Sequence, residues 1–246
     1  SMGSSIRVRG VGTNVFSVTV EPSVSLVVDG VALPRNDIGL VELADIERVE
    51  VLKGPQGTLF GKNASAGVIS YTTNAPSASL EGMVRGRATA AGDYRVDGTI
   101  SNSLSDTTGF RLTGFFNETA DFQDNLFTGN EIGGSTAFGG RGKFVFEPSS
   151  SLSINVTADF YDLEADCCGV PVRFSPGNSI TQLDANITPG TENRDVSSDR
   201  DPINTMQQWG AAVEVSKDIG GINVTSLSSY RDWETGGNLL DADFFA

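Results

Sequence analysis

From Tyr94 onward, polar and apolar residues alternate one by one in runs of about 10–13 residues, and no other feature narrows the possible folds as much. Tyr94, Val96, Gly98, Ile100, Asn102 and Leu104 share one face, while Arg95, Asp97, Thr99, Ser101 and Ser103 share the other. Phe110, Leu112, Gly114 and Phe116 oppose Arg111, Thr113, Phe115 and Asn117 in the same way. The pattern returns in 143–147, in 152–161, in 208–216 and in a final stretch from Ile222 to about Trp233. Period two is the signature of a strand with one apolar and one polar face. Counting a first strand after Ser79, the rhythm predicts seven antiparallel strands, each longer than the usual strand of a soluble sheet.

Such a face fits a soluble sandwich or a membrane barrel. The connections favour the barrel, because they alternate between tight turns and long loops. Tight turns are expected at 105–109, 147–151 and 217–221, and long connections at 118–139 and 162–206. The short Ala91-Gly92-Asp93 connection is an exception. No window of the chain approaches the length of an apolar transmembrane helix, so strands are the only means by which it spans a bilayer. Tyr94, Phe110, Phe160, Tyr161, Trp209, Tyr230 and Trp233 lie near strand ends, where an interfacial aromatic girdle would place them.

Residues 1–77 have another texture. Short β-branched runs at Ile6–Arg9, Val24–Val28, Ile46–Lys53 and Val68–Thr72 are broken by glycine and proline, with a short helical turn expected over Gly39–Ala44. Asn74-Ala75-Pro76-Ser77 punctuates the end of this small mixed α/β unit. The fold class expected is therefore mainly β: a small mixed α/β domain over 1–77, then antiparallel barrel strands over 78–246.

Chemistry is limited by what is absent. The chain has no histidine, which removes the Ser/His and Cys/His nucleophile systems and most transition-metal sites. Its net charge of −14 gives no basic patch for nucleic acid. Within the segment from Val49 to Ala64, a Gly-rich run ends in Gly61-Lys62 and invites a phosphate-loop reading. Only three residues separate Gly57 from Gly61, however, and Asn63 replaces the required Ser or Thr. No catalytic, metal or cofactor residue is expected. The adjacent Cys167 and Cys168 do not make a four-ligand zinc site, which leaves a vicinal disulfide or two free thiols.

The ordered motifs of the first 77 residues closely resemble the plug of TonB-dependent outer-membrane receptors. They are Ile6-Arg7-Val8-Arg9-Gly10, then Val28-Asp29-Gly30-Val31, then Ile46-Glu47-Arg48-Val49-Glu50-Val51-Leu52-Lys53-Gly54-Pro55-Gln56-Gly57-Thr58-Leu59-Phe60-Gly61. Ala66-Gly67-Val68-Ile69-Ser70-Tyr71-Thr72-Thr73 completes the set. The resemblance implies a plug that fills a transmembrane β-barrel of about 22 strands in the outer membrane of a Gram-negative bacterium. It also implies import of a scarce nutrient, such as a ferric siderophore, haem, cobalamin or a glycan, with energy from the inner-membrane TonB complex. The TonB box would precede residue 1, and about fifteen further wall strands would follow Ala246.

Carried to positions, the resemblance makes Arg9 and Lys53 candidate lock cations that pair with barrel-wall carboxylates. The alternative is that they satisfy Glu47 and Glu50 within the plug. Asn14, Phe16, Arg35, Asn36 and Asp37 are the candidate ligand-facing residues at the plug apex. Glu118, Asp121, Asp124 and Glu131 in one long connection, and eight acids against three arginines over 162–204, imply an acidic outer mouth. That acidity would disfavour strongly anionic ligands, or would serve solubility and divalent bridging to lipopolysaccharide. A β-rich adhesin or glycan-binding module is the competing functional class. It accounts for 79–246 and leaves the plug motifs to chance.

Overall fold

The computed structural model describes residues 6–13, 21–33, 44–166 and 188–238. Strands β1 (Val24–Val28), β2 (Val31–Leu33), β3 (Ile46–Lys53) and β4 (Gly67–Thr73) form a four-stranded sheet in the order β2-β1-β4-β3. β1 and β4 run parallel, with Leu26 opposite Ile69, and the outer pairs are antiparallel. The central position of β1 follows from its composition. Val24, Ser25, Leu26 and Val27 are all buried, the continuous pattern of a strand covered on both faces. β3 alternates charged and apolar residues and lies at the sheet edge, almost wholly exposed. Gly67 sits where a Cβ would approach the Leu52 carbonyl oxygen to 2.6 Å, so only glycine lets β3 and β4 close at that point. Between these strands lies α1 (Gly57–Phe60), a single helical turn.

The Ile6–Arg9 strand expected from sequence is reduced to one bridge between Val8 and Val11. Arg9 and Gly10 take φ of 53° and 80°, and two successive left-handed residues turn the chain before a strand can extend. The helical turn expected over Gly39–Ala44 falls largely outside the described residues.

The second sheet is a seven-stranded antiparallel meander. It contains β5 (Glu81–Ala88), β6 (Tyr94–Ser105), β7 (Thr108–Thr119), β10 (Ser135–Ser149), β11 (Leu152–Ala165), β12 (Ile203–Ile219) and β13 (Ile222–Asn238), in chain order. A small hairpin, β8 (Gln123–Asn125) with β9 (Asn130–Ile132), lies between β7 and β10. Two-residue turns at Asp106-Thr107, Ser150-Ser151 and Gly220-Gly221 join strands at one end. The connections at the other end are longer, and the shortest of them spans Thr89–Asp93. The mainly β, antiparallel class read from the alternation is borne out. The long strands exceed the expected length, reaching 17 residues in β12 and β13, because their ladder continues without a break from Ile219–Ile222 up to Ile203–Asn238.

One face of this sheet is apolar and exposed. Tyr94, Phe116, Phe138, Phe160, Trp209 and Tyr230 stand on it, one from each of six consecutive strands. By register, successive members sit level or two residues lower, as a belt at constant height would on tilted strands. The Trp209 and Tyr230 rings lie 5.2 Å apart, and Phe138 and Phe160 meet edge to face at 6.3 Å. Tyr161 and Trp233 do not join the belt. Tyr161 follows Phe160 and so points to the opposite face, where its ring is 6.0 Å from Phe115. Trp233 stands opposite Gln208, on that same inner face.

Candidate functional site: the seam between plug and wall

The four-stranded unit meets the polar face of the meander along a line of charged groups. Asp29 occupies the β1–β2 turn, where its Oδ1 accepts from the Thr73 backbone N–H at 2.9 Å and its Oδ2 from Thr73 Oγ1 at 2.7 Å. Lys143 Nζ of β10 reaches the same carboxylate at 3.2 Å and donates to the Thr73 carbonyl at 2.9 Å. Asp45, just before β3, is held more firmly. Arg111 of β7 forks onto it, Nε to Oδ2 at 2.5 Å and Nη2 to Oδ1 at 2.7 Å, while Thr113 Oγ1 donates to Oδ2 at 3.0 Å. Asn74 Nδ2 adds a bond to Oδ1 at 2.8 Å. The remaining Arg111 nitrogen, Nη1, binds Glu81 at 2.6 Å.

The side chains of Asp45 and Arg111 are only 7% and 11% exposed. Burial alone would push the Asp45 carboxyl up. The hydrogen bonds from Arg111, Asn74 and Thr113, together with the arginine's charge, outweigh it and hold the carboxyl below the usual carboxylate range. Asp29 and Asp45 both adopt left-handed backbone, at φ of 47° and 60°. Aspartate is among the residues that tolerate this region. Both carboxylates converge on Thr73 and Asn74, where the chain leaves β4 on its way to the wall.

Behind the seam, the polar face carries its own ion pairs. Arg231 of β13 reaches across Gly210 of β12 to bind Asp159 of β11 with two bonds of 2.7 Å. Asp97 is shared by Arg85 at 3.1 Å and Arg95 at 3.3 Å, and the Arg95 guanidinium also lies 5.9 Å from the Phe115 ring centroid. A cleft of about 370 Å³ between the two units is lined by Asp29, Arg141, Lys143, Asp159 and Arg231 among others.

At the long-loop end, the β8–β9 hairpin and the segment before β12 are fastened together. Asp201 accepts from Asn125 Nδ2 at 2.8 Å, Thr128 Oγ1 at 2.8 Å and Asn130 Nδ2 at 2.6 Å. The buried Asn125 also bonds the Ser198 backbone through both ends of its amide. Burial raises the Asp201 carboxyl, but these three donors more than offset it and leave it lowered. Asp166 is shifted the other way, by burial and then by the neighbouring charges of Asp121, Glu164 and Asp201.

The residues singled out from sequence sit elsewhere. Arg9 is exposed in the Val8–Val11 turn, and Lys53 is exposed at the end of β3 opposite Gly67. Among the described residues, no ion pair holds either one, and Glu50 pairs with Arg48 at 3.3 Å. Asn14, Phe16, Arg35, Asn36, Asp37, Cys167 and Cys168 lie outside the described residues. The described residues contain no group of His, Cys, Asp and Glu arranged to hold a metal ion. Sequence reasoning missed Asp29, Asp45, Arg111 and Lys143. One signal was present: Arg111 and Lys143 stand on strand faces that the alternation already marked as polar.

A small sheet seated by ion pairs against the polar face of a long-stranded antiparallel meander, itself apolar on its other face, defines a barrel wall with its plug. Residues 1–68 match the TonB-dependent receptor plug domain. The pesticin receptor of Yersinia pestis is 36% identical over 104 residues, covering 42% of this chain and 15% of that protein. The ferric enterobactin receptor PirA of Pseudomonas aeruginosa is 28% identical over 192 residues, 73% of this chain and 24% of that one. The crystal structure of the ferric yersiniabactin uptake receptor FyuA from Yersinia pestis superposes with a TM-score of 0.74 at 21% identity, over 88% of this chain and 33% of that one. Residues 1–68 thus carry the match to that plug domain, and the chain spans a quarter or less of the length of these two curated relatives. The family consists of receptors and transporters, not enzymes.

Proposed function

We propose that residues 1–77 are the plug and residues 78–246 the opening portion of the barrel of an outer-membrane receptor that imports a scarce nutrient with energy transduced by TonB. The observation that carries this reading is the Asp45–Arg111 fork, which seats a plug-like sheet on the inner face of a wall whose outer face is apolar. A solute too large to diffuse through an open pore requires such a stopper, and the stopper requires an energised release. The names of the relatives, a pesticin receptor and receptors for ferric enterobactin and ferric yersiniabactin, favour a ferric siderophore as the ligand class. Arg9 and Lys53, exposed on the plug, fit lock cations whose carboxylate partners lie on wall strands beyond these seven. Asn14, Phe16, Arg35, Asn36 and Asp37 remain the proposed ligand contacts of the apex, and Cys167 with Cys168 a proposed vicinal disulfide. The location proposed is the outer membrane of a Gram-negative bacterium, with the long loops toward lipopolysaccharide.

The test is accumulation of radiolabelled iron from a panel of siderophores by iron-starved cells that carry or lack the full-length gene. Gene-dependent uptake that collapses when the proton gradient is dissipated is the expected result. Surface binding without energy-dependent accumulation would overturn the reading in favour of an adhesin-like module.

A further inference from the structure

Arg111 and Lys143 stand directly opposite each other on β7 and β10. Like charges at facing positions of neighbouring strands repel, and nothing in a sheet by itself favours that placement. Here each cation is neutralised from outside the sheet: Arg111 chiefly by Asp45, and Lys143 by Asp29. The geometry of the first contact is that of a guanidinium receiving a free carboxylate, two parallel bonds of 2.5 and 2.7 Å. A third cation, Arg141, lies one inward position from Lys143 and donates a long hydrogen bond of 3.4 Å to the Ala44 carbonyl. Arg141 and Lys143 both line the cleft between plug and wall, which Arg231 lines too, its buried Nε without a hydrogen-bond partner among the described residues.

We infer that this part of the wall is an anion-binding site, and that Asp29 and Asp45 occupy it in the resting state in place of a solute's anionic oxygens. The inference rests on the proposed reading, because the site becomes available only when the plug shifts. Its ligands are small solutes or chelates that bear carboxylate, phosphate or similar anionic oxygen groups. Arg111 contributes the bidentate fork and Lys143 the point charge. The site lies at the level of the plug, well below the acidic outer loops, so those loops do not neutralise it. An anionic solute that follows the receding plug would exchange with the two carboxylates, with no bare cation pair exposed at any stage.

Inorganic phosphate is the probe, and equilibrium dialysis of the purified full-length receptor is the readout, so no transport is required. The Asp29→Asn/Asp45→Asn variant keeps side chains that tolerate left-handed backbone and removes both competing charges. It should bind phosphate at least tenfold more tightly than the wild type. Adding Arg111→Gln and Lys143→Gln should abolish the gain. Equal binding by all three proteins would overturn the inference. As a second measurement that needs no variant, the wild-type receptor is acetylated in urea just sufficient to loosen the plug, and Lys143 is followed by peptide mass spectrometry. Phosphate should protect Lys143 there, and absence of protection would contradict the site. A receptor that fails to import iron but still shows these effects would refute the proposed function and leave this inference standing.

Discussion

Placing a methyl group at Gly210 should separate the geometry of the inner wall from the general preference of strands for residues other than glycine. A Cβ at this position would fall 2.7 Å from both Cζ and Nη2 of Arg231 and 3.1 Å from its Nε. That is well inside van der Waals contact, and the guanidinium has to yield. It cannot yield freely, because both of its outer nitrogens are engaged by Asp159 at 2.7 Å, between side chains only 16% and 18% exposed. Loss of hydrogen bonds to a charged group costs about 1.5–3 kcal/mol. Alanine in place of glycine within a strand returns about 0.5–1 kcal/mol. Gly210→Ala should therefore destabilise the barrel by about 1–2 kcal/mol. In an Arg231→Ala background the obstacle is gone, and the same substitution should become stabilising by about 0.5–1 kcal/mol. Urea titration of the full-length receptor folded in detergent micelles measures both. An effect of the same sign and size in the two backgrounds would refute the reasoning, since the penalty would not then arise at Arg231.

Three further perturbations probe the seam, the apolar face and the long connections. Asp45 titrates below the ordinary carboxylate value in the folded protein, because the bonds from Arg111, Asn74 and Thr113 outweigh its burial, so its contribution is complete above that value and is lost as pH falls through the folded pKa. Plug release followed by limited proteolysis should accordingly be flat near neutrality and rise at acid pH below about 4, and Asp45→Asn should remove that component. Val156→Arg, on the outward face of β11, should cost about 2–4 kcal/mol of barrel stability in a bilayer, whereas Thr157→Arg, lining the cleft, should cost far less. Asp201→Ala should speed hydrogen–deuterium exchange across 123–132, because three side-chain donors of the hairpin lose their acceptor. The exposed neighbour substitution Asp199→Ala should leave exchange unchanged.

The alternation of the second region made the wall legible because a period of two is a direct readout of which side chains share a face. Phe144, Val156 and Trp209 announce their face several times over. Interfacial aromatics were less legible. Phe160 and Tyr161 are both plausible belt residues by composition, and only the pleat separates them. The plug was legible through glycines and β-branched runs at fixed spacing, of which Gly67 shows the physical need most plainly. The seam was not legible. Asp29 and Asp45 look like ordinary turn residues, and their partners lie 114 and 66 positions away, a separation that no local pattern encodes. The sequence reading placed the cation on the plug and the carboxylate on the wall, whereas the described pairs run from plug carboxylate to wall cation. Electrostatic complementarity requires only opposite signs, so either polarity satisfies it. The choice is made by the tertiary arrangement.

The central claim is that residues of the first unit sit inside the wall formed by the second and are held there by Asp45 and Arg111. A double-mutant cycle on the plug-unfolding transition of the full-length receptor, using Asp45→Asn and Arg111→Gln, measures that contact. Removing either partner of a buried pair typically costs about 3–5 kcal/mol, because the other charge is left uncompensated. Each single variant should show a loss of that order, and the double variant should lose no more than the worse single one. Losses that simply add would mean that the two residues do not meet, and the plug would not then be seated on this wall.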